Sequence, residues 1–318
     1  MIKDVKIVNP SNKLEFKKID FLDGYKKHKM LTLMLMIGVI WYVIFKYLPM
    51  YGLIISFKDL RILDGIKGSP WVGLKHFKFA FGSTDFWNVF RNTLIISGMK
   101  LLINFPAPII FALLLNEVRN ATFKKVTQTI SYLPHFLSWV VLGGVIINFL
   151  SPTSGLVNVI IKGMGFQPIY FVASKDWFRK VLVGSSLWKD IGWSSIVYLA
   201  ALAGVDQSLY EAATVDGANK FKKMIHVTLP SISPIVVVMM IFAVGKVVND
   251  DFDQVFNLIN PAVYSVGDVL STYIYKVGLE NMRYSYSAAI EFFKNSISFA
   301  LVMTTNHLAK KYSDYGLF

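Results

Sequence analysis

The chain has 318 residues, of which 54% are hydrophobic and 17% charged, with a mean hydropathy of +0.49. That balance excludes an ordinary soluble domain, whose surface needs more charge, and indicates an integral membrane protein. The net formal charge is +13 and cysteine is absent, which excludes disulfide and thiol chemistry. The lysines are spread as a topological bias, not gathered as a nucleic-acid surface.

Residues 1–29 are polar, lack a cleavable-signal pattern and read as a cytoplasmic segment. Within them Leu14, Phe16, Ile19, Phe21 and Leu22 mix with lysines and acids, a pattern open to an interfacial helix or a solvated tail. Crossing about 30 Å of hydrocarbon takes roughly 20 apolar residues. The run 30–57 qualifies first. Residues 58–85 contain Gly65, Gly68, Ser69-Pro70 and Gly73 and must turn repeatedly; Trp71, Phe77, Phe79, Phe81, Phe86 and Trp87 cluster there as interface anchors do.

A second span is expected over 86–115, interrupted by Asn104-Phe105-Pro106-Ala107-Pro108. Two prolines there free backbone carbonyls, which lipid tolerates only beside other helices or a cavity. A third span over 126–150 carries Pro134 and Gly143-Gly144, which act similarly; a packing kink is the plain account of both. Further spans are expected over 181–204, 232–258 and 283–308. The expected fold is all-α and integral to the membrane, with six transmembrane helices in one domain over 30–309 and a cytoplasmic tail over 310–318. Apolar blocks, as opposed to alternating apolar residues, exclude a membrane barrel. Placing both termini inside puts sixteen cationic residues on the inner segments and eight outside.

Polar residues within spans mark partners or a path. Lys246, Asp250, Asp253 and Asn257 recur at steps of four, three and four, predicting one helix face, with Asn249 and Gln254 flanking it and Asp251 adding a charge. This stripe reads as a hydrogen-bonding path for a polar substrate, as a structural ion pair of Lys246 and Asp250, or as the outer end of the helix reaching water. Glu291, Asn295 and Ser298 share a face of the last span, beside Lys294. The fourth span carries Trp188, Lys189, Asp190 and Trp193. Aromatic faces and polar side chains together can line a substrate path, so these helices together suit a substrate site, although either tryptophan alone is more often packing.

The loop 205–231 is the most informative segment. Glu211-Ala212-Ala213 favours a close-seating short helix, and Asp216-Gly217-Ala218 supplies a bend, with glycine free to take positive φ and the Asp216 carboxylate able to cap following amides. Phe221 and Met224 are apolar plugs. Leu229-Pro230 is expected to end the lever, because proline suits a helix start. All these elements together, on the inner side, set this loop apart from an ordinary interhelical turn.

With that motif, with Tyr47-Leu48-Pro49-Met50-Tyr51-Gly52, Ser69-Pro70-Trp71-Val72-Gly73-Leu74 and Ser131-Tyr132-Leu133-Pro134-His135-Phe136, and with Phe252-Asp253-Gln254-Val255-Phe256-Asn257-Leu258 and Asn306-His307-Leu308-Ala309-Lys310-Lys311, the chain resembles nearly throughout a permease subunit of binding-protein-dependent ABC sugar importers. The likeness is strongest to the complex-oligosaccharide, rhamnogalacturonan- and alginate-type subgroup.

The resemblance implies a type I importer permease in a bacterial plasma membrane. It implies pairing with a second homologous permease above two ATPase subunits and an extracytoplasmic solute-binding protein that delivers an oligosaccharide. Glu211 would pair with a basic group on the ATPase. ATP and Mg would be bound by those partners, none by this chain. The acids at Asp250 or Asp251 and at Glu291 depart from the subgroup, where such positions are usually small or neutral, and would disfavour uronic acids unless lysines compensate. The five histidines have no metal spacing, no phosphate-binding glycine loop precedes a Lys-Ser/Thr pair, and no nucleophile–base arrangement stands out, so a metal site and an enzyme are not expected. A stand-alone secondary transporter would carry internal repeats, and none is evident.

Overall fold

A computed structural model of the protein describes residues 29–313. Of the cytoplasmic segments expected over 1–29 and 310–318, residues 1–28 and 314–318 lie outside the described residues, and 310–313 continue the last helix. The chain divides into two compact units, Met1–Ile54 and Ile55–Phe318. Helix α1 runs over Lys29–Phe57, and its apolar window has no buried residue. A helix apolar all round, as Met30–Tyr42 is, belongs in lipid or against another chain.

The second unit is a bundle of long helices. They are α2 (Thr84–Glu117), α3 (Ala121–Phe136), α4 (Trp139–Phe149), α5 (Lys175–Ala203), the short α6 (Gln207–Val215), α7 (Lys220–Gly245), the short α8 (Phe252–Leu258) and α9 (Tyr284–Ser313). Most start at a polar cap the sequence supplies: Ser83, Asn120, Ser138, Asp206, Asn219 and Asp251 each accept a hydrogen bond from an amide two or three residues on. Among the described residues there is no β-strand beyond one isolated bridge, Lys58 to Trp71.

Three helices, α1, α2 and α7, are long and apolar enough to cross a membrane, and α3 with α4 makes a fourth candidate bent by 107°. Helices α5 and α9 have 29 and 30 residues but carry charge inside their spans, at Lys189 and Asp190 and at Glu291 and Lys294. The run 126–150 is therefore not one straight helix. Pro134 starts a 3-10 turn over Leu133–Phe136, Leu137 is extended, and Ser138 caps a new helix.

The run 232–258 is corrected too. Helix α7 begins earlier, at Lys220, and stops at Gly245; 246–251 is irregular, and Asp251 caps the separate α8. Ser298 on α9 donates its hydroxyl to the Gly245 carbonyl and receives Asn249 Nδ2 at 2.9 Å, so a neighbouring helix satisfies the broken end. Lys246, Asp250, Asp253 and Asn257 hence share no continuous helix face. Polar side chains that find partners on α9 and α5 overrode the local periodicity.

Three buried apolar clusters hold the unit. One joins Ile96, Trp139, Leu142, Phe178, Leu182 and Val255 across α2, α4, α5 and α8. A second, around Phe86, Val89, Leu270, Tyr286 and Ile290, takes in one of the aromatics expected at the interface: Phe86 is fully buried and meets Phe293 edge-on, whereas Trp71, Phe79, Phe81 and Trp87 are exposed. The third, of Ile109, Ala112, Leu113, Tyr198, Leu202 and Ile232, lies beneath α6 and also takes in Tyr210, Met224 and Leu229.

Candidate functional site

Helix α6 carries Glu211-Ala212-Ala213 and ends in a glycine C-cap. Gly217 has φ +73°; its amide donates to the Thr214 carbonyl at 3.0 Å and the Ala218 amide to the Ala213 carbonyl at 2.9 Å. These two bonds close the Schellman arrangement, which needs a residue that tolerates the left-handed region. The bend expected at Asp216-Gly217 is therefore made by the backbone. The amide caps come from other residues: Asp206 Oδ1 accepts the Ser208 amide at 2.9 Å, and Asn219 Oδ1 accepts that of Lys222 at 2.9 Å. The Ser208 amide and hydroxyl hold the exposed Asp206 carboxyl below its ordinary pKa by hydrogen bonding to the anion.

The hairpin of α6 and α7 is braced. Tyr210 Oη meets Thr228 Oγ1 at 3.0 Å, Lys223 donates to Thr214 Oγ1 at 2.6 Å, and Lys220 pairs with Glu117 of α2 at 2.8 Å. Leu229-Pro230 does not end this lever. Helix α7 runs straight through it, and a π-helical turn over Met224–Thr228 absorbs the missing proline amide. Met224 packs inward, while Phe221 is 64% and Val215 88% exposed. Glu211, Ala212, Asp216, Gly217, Lys220 and Pro230 are exposed as well, and Ala213 and Ala218 half-buried. The result is a rigid polar-and-apolar knob set on the third core cluster, with uncovered apolar tips.

Deeper in the unit, α2, α5, α7 and 246–251 enclose a cavity of about 470 Å³. Of the residues singled out in the sequence, Lys246, Asn249 and Asp250 line it. Asn104, Asp190 and Asp251, also named in the sequence, line it too, whereas sequence reasoning missed Lys100 of α2. A lysine midway along an apolar span was the signal for Lys100. Phe105 and Pro108, at the broken turn, form part of the same wall.

The other candidates lie elsewhere. Gln254 is fully buried, accepting Lys100 Nζ at 2.5 Å and donating to the Leu182 carbonyl at 2.6 Å and Ser185 Oγ at 2.8 Å. Asn257 donates to the Asp253 carbonyl and its Cβ packs against Gly143, while Asp253 is exposed. Trp188 and Trp193 are exposed. Trp193 lies flat on His135, centroids 4.5 Å apart, and His135 Nδ1 meets Asp190 Oδ1 at 2.8 Å. Glu291 pairs with Lys294 at 2.9 Å and accepts from Asn295 at 3.0 Å; Glu291 and Lys294 line a second cavity of about 490 Å³, with Phe252, Tyr275 and Tyr284 among its walls. Charges of both signs thus face the first cavity, and an ion pair with aromatic rings faces the second. No group of three metal-ligating side chains occurs among the described residues.

Residues 104–252 match the family model described as a binding-protein-dependent transport system inner membrane component. Protein LplB of Bacillus subtilis is 42% identical over 302 residues, 95% of either chain. The polygalacturonan/rhamnogalacturonan transport system permease protein YteP of the same organism is also 42% identical, over 92% of this chain and 91% of its own. A chain in the crystal structure of a bacterial alginate ABC transporter, in complex with an alginate pentasaccharide-bound periplasmic protein, superposes with a TM-score of 0.86. The two are 37% identical over 93% of this chain and 99% of that one.

Proposed function

The chain belongs to the inner membrane components of binding-protein-dependent transport systems, and on that footing we propose that it moves oligosaccharides derived from complex polysaccharides into the cytoplasm by ATP-driven alternating access. Its fold is that of type I ABC importer permeases, and it is a transport subunit, not an enzyme. In this reading it spans a bacterial plasma membrane six times, with both termini and α6 in the cytoplasm. It works beside a second homologous permease, two ATPase subunits that bind ATP and Mg, and an extracytoplasmic solute-binding protein. Membrane lipid covers α1 or its partner face; nucleic acid has no role.

The observation that carries the reading is the braced α6 knob. Glu211, Ala212, Ala213, Asp216, Gly217, Ala218 and Phe221 form a docking surface for an ATPase subunit, with Leu229 and Pro230 inside the helix that carries the motion onward. Phe221 and Val215 are apolar side chains that water leaves uncovered, and Glu211 is a fixed anion for a basic partner. Because Tyr210, Met224 and Leu229 belong to the core cluster beneath, displacement of α6 displaces α5 and α7 together. Those two helices wall the first cavity, so a pull at the knob reshapes the space where sugar would pass. Lys246, Asn249 and Asp250 there, and Glu291 with Asn295 near the second cavity, offer hydroxyl partners. Trp188, Trp193, Asp253, Gln254 and Asn257 support those walls or face outward.

Co-purification tests the coupling. Gly217→Pro cannot adopt positive φ, and is expected to insert normally while losing the ATPase subunits or the coupling of ATP hydrolysis to uptake. Full ATP-dependent uptake by that variant would overturn the reading.

A further inference from the structure

Between α4 and α5 the chain forms one more helix, Leu156–Gly163, and its one buried side chain is polar. Asn158 is 1% exposed. Its Nδ2 donates to the carbonyls of Leu150, Ser151 and Ile169 at 3.1, 3.0 and 2.9 Å, and its Oδ1 accepts the Ile169 amide at 2.8 Å. Leu156, Val159, Ile160 and Met164 recur at helical spacing on the opposite side, and each is more than half exposed. A helix on a soluble surface turns its apolar side inward; this one turns it out.

The outward face is held firmly. At the start, a Cβ on Gly155 would run into the backbone of Phe149 and Ser151, so the chain passes there in close contact. At the end, the Gly165 amide, at φ +85°, donates to the Lys162 carbonyl at 2.9 Å, and the Phe166 amide to that of Ile161 at 3.1 Å. That pair of bonds closes a second glycine C-cap. Hydrogen bonding and backbone fit therefore fix which side faces away from the bundle.

The anchors also set the level of the helix. Leu150 and Ser151 follow directly on α4, whose Val140, Val141, Val145 and Phe149 are exposed and apolar, as on a lipid-facing span. Beyond Ile169, at the start of α5, Trp177 meets Phe171 edge-on and has Lys180 Nζ 4.2 Å above its ring, and Tyr170 is exposed. Tryptophan, tyrosine and lysine at the ends of spans are the composition of the headgroup layer. Among the exposed charges of 151–180, Lys162, Lys175 and Lys180 stand against Asp176 alone, which complements an anionic lipid surface. The core of a protein–protein contact is instead depleted of lysine.

We propose that Leu156–Gly163 is a membrane-interface helix. Leu156, Val159, Ile160 and Met164 enter the outermost part of the phospholipid acyl layer, and Lys162 stays among the headgroups. The helix ties the adjoining ends of α4 and α5 to the bilayer surface. That the surface is the extracytoplasmic one rests on the permease reading above; the contact with lipid does not.

The chain has no cysteine, so a thiol-linked fluorophore reports only the position chosen for it on this subunit. The full transporter is placed in vesicles of phosphatidylethanolamine and phosphatidylglycerol, carrying the nitrobenzoxadiazole fluorophore on Ile160→Cys or, separately, on Lys162→Cys. Both side chains are exposed, so neither change removes a buried contact. The Ile160→Cys probe is expected to lose fluorescence to brominated phosphatidylcholine, more to bromines near the headgroup than to bromines near the chain ends, and to be spared by iodide. The Lys162→Cys probe is expected to lose fluorescence to iodide, and Val159→Cys to repeat the result at Ile160. Iodide quenching at Ile160 and Val159 would put the face in water, and protection from both quenchers would put it against another subunit; either overturns the proposal. Stronger quenching by the deep bromines, or a Lys162→Cys probe protected from iodide, would overturn the interfacial placement. Retention of the ATPase subunits is measured on the same vesicles. Their loss beside a lipid-quenched Ile160→Cys probe sinks the permease reading alone, and their retention beside an iodide-quenched one sinks the interface helix alone.

Discussion

The Lys189 ammonium lies buried 2.5 Å from the carbonyl oxygen of Leu137, at the point where α3 turns into α4. It also donates to the His135 carbonyl at 3.0 Å and sits 5.3 Å above the Trp139 ring. A chain reversing direction inside an apolar medium leaves carbonyls without amides, and here one cation from α5 serves them. The 107° bend is therefore held from outside the bent segment.

Lys189→Met keeps the length and apolar stem of the side chain and removes the donor. Leaving the carbonyls unpaired is expected to destabilise the unit by about 3 kcal/mol. The change should appear as a lower unfolding temperature in detergent and faster amide exchange over 133–142. Lys189→Arg should recover part of the loss. Equal stability of Lys189→Met and the parent would refute this account of the bend.

Gly217 offers a graded test of the α6 C-cap. A Cβ there meets nothing within 4 Å, so only the backbone conformation resists substitution. Alanine should cost about 1 kcal/mol and asparagine less, because asparagine tolerates the left-handed region. Amide exchange over 211–219 should accelerate in the order Gly, Asn, Ala. An alanine variant as protected as the parent would mean that the cap contributes nothing.

The lowered pKa of Asp206 makes the start of α6 sensitive to acid. A carboxyl with a folded pKa below its unfolded value contributes stability above the unfolded value, and that contribution is lost as pH falls through the folded one. The window is thus below about pH 4. Amide protection at Ser208 should drop there, whereas Asp206→Asn, which keeps an acceptor and does not titrate, should show a flat profile. The same acid-induced loss in Asp206→Asn would remove the link to this carboxyl.

Close packing makes a fourth prediction at Gly192. A Cβ on it would run into the Ser131 backbone, so α3 and α5 touch at this point with no room to spare. Gly192→Ala should destabilise by roughly 1–3 kcal/mol, the usual scale of overpacking. Gly184→Ala, eight residues earlier on the same helix with nothing within 4 Å, should be near neutral or slightly stabilising through helix propensity. Thermal unfolding of both variants decides it; equal effects would show that the contact is not tight.

Read from composition and apolar runs alone, the chain was already an all-helical membrane protein, because hydrocarbon demands long apolar helices and penalises everything else. The α6 motif was equally legible, since a positive-φ glycine after a short helix is a local requirement that the neighbouring residues announce. The places where α3 bends and α7 stops were not legible. Each depends on a partner far away in the chain, Lys189 on α5 for the first and Ser298 on α9 for the second, and a window of local sequence contains neither. The polar residues divide in the same way. Lys246, Asp250, Asp253 and Asn257 have helical spacing, yet only the folding of 246–251 across α2, α5 and α9 decided that the first two line a cavity and the others do not. Apolar burial is written in short-range patterns, whereas the pairing of buried polar groups is settled only when distant helices meet.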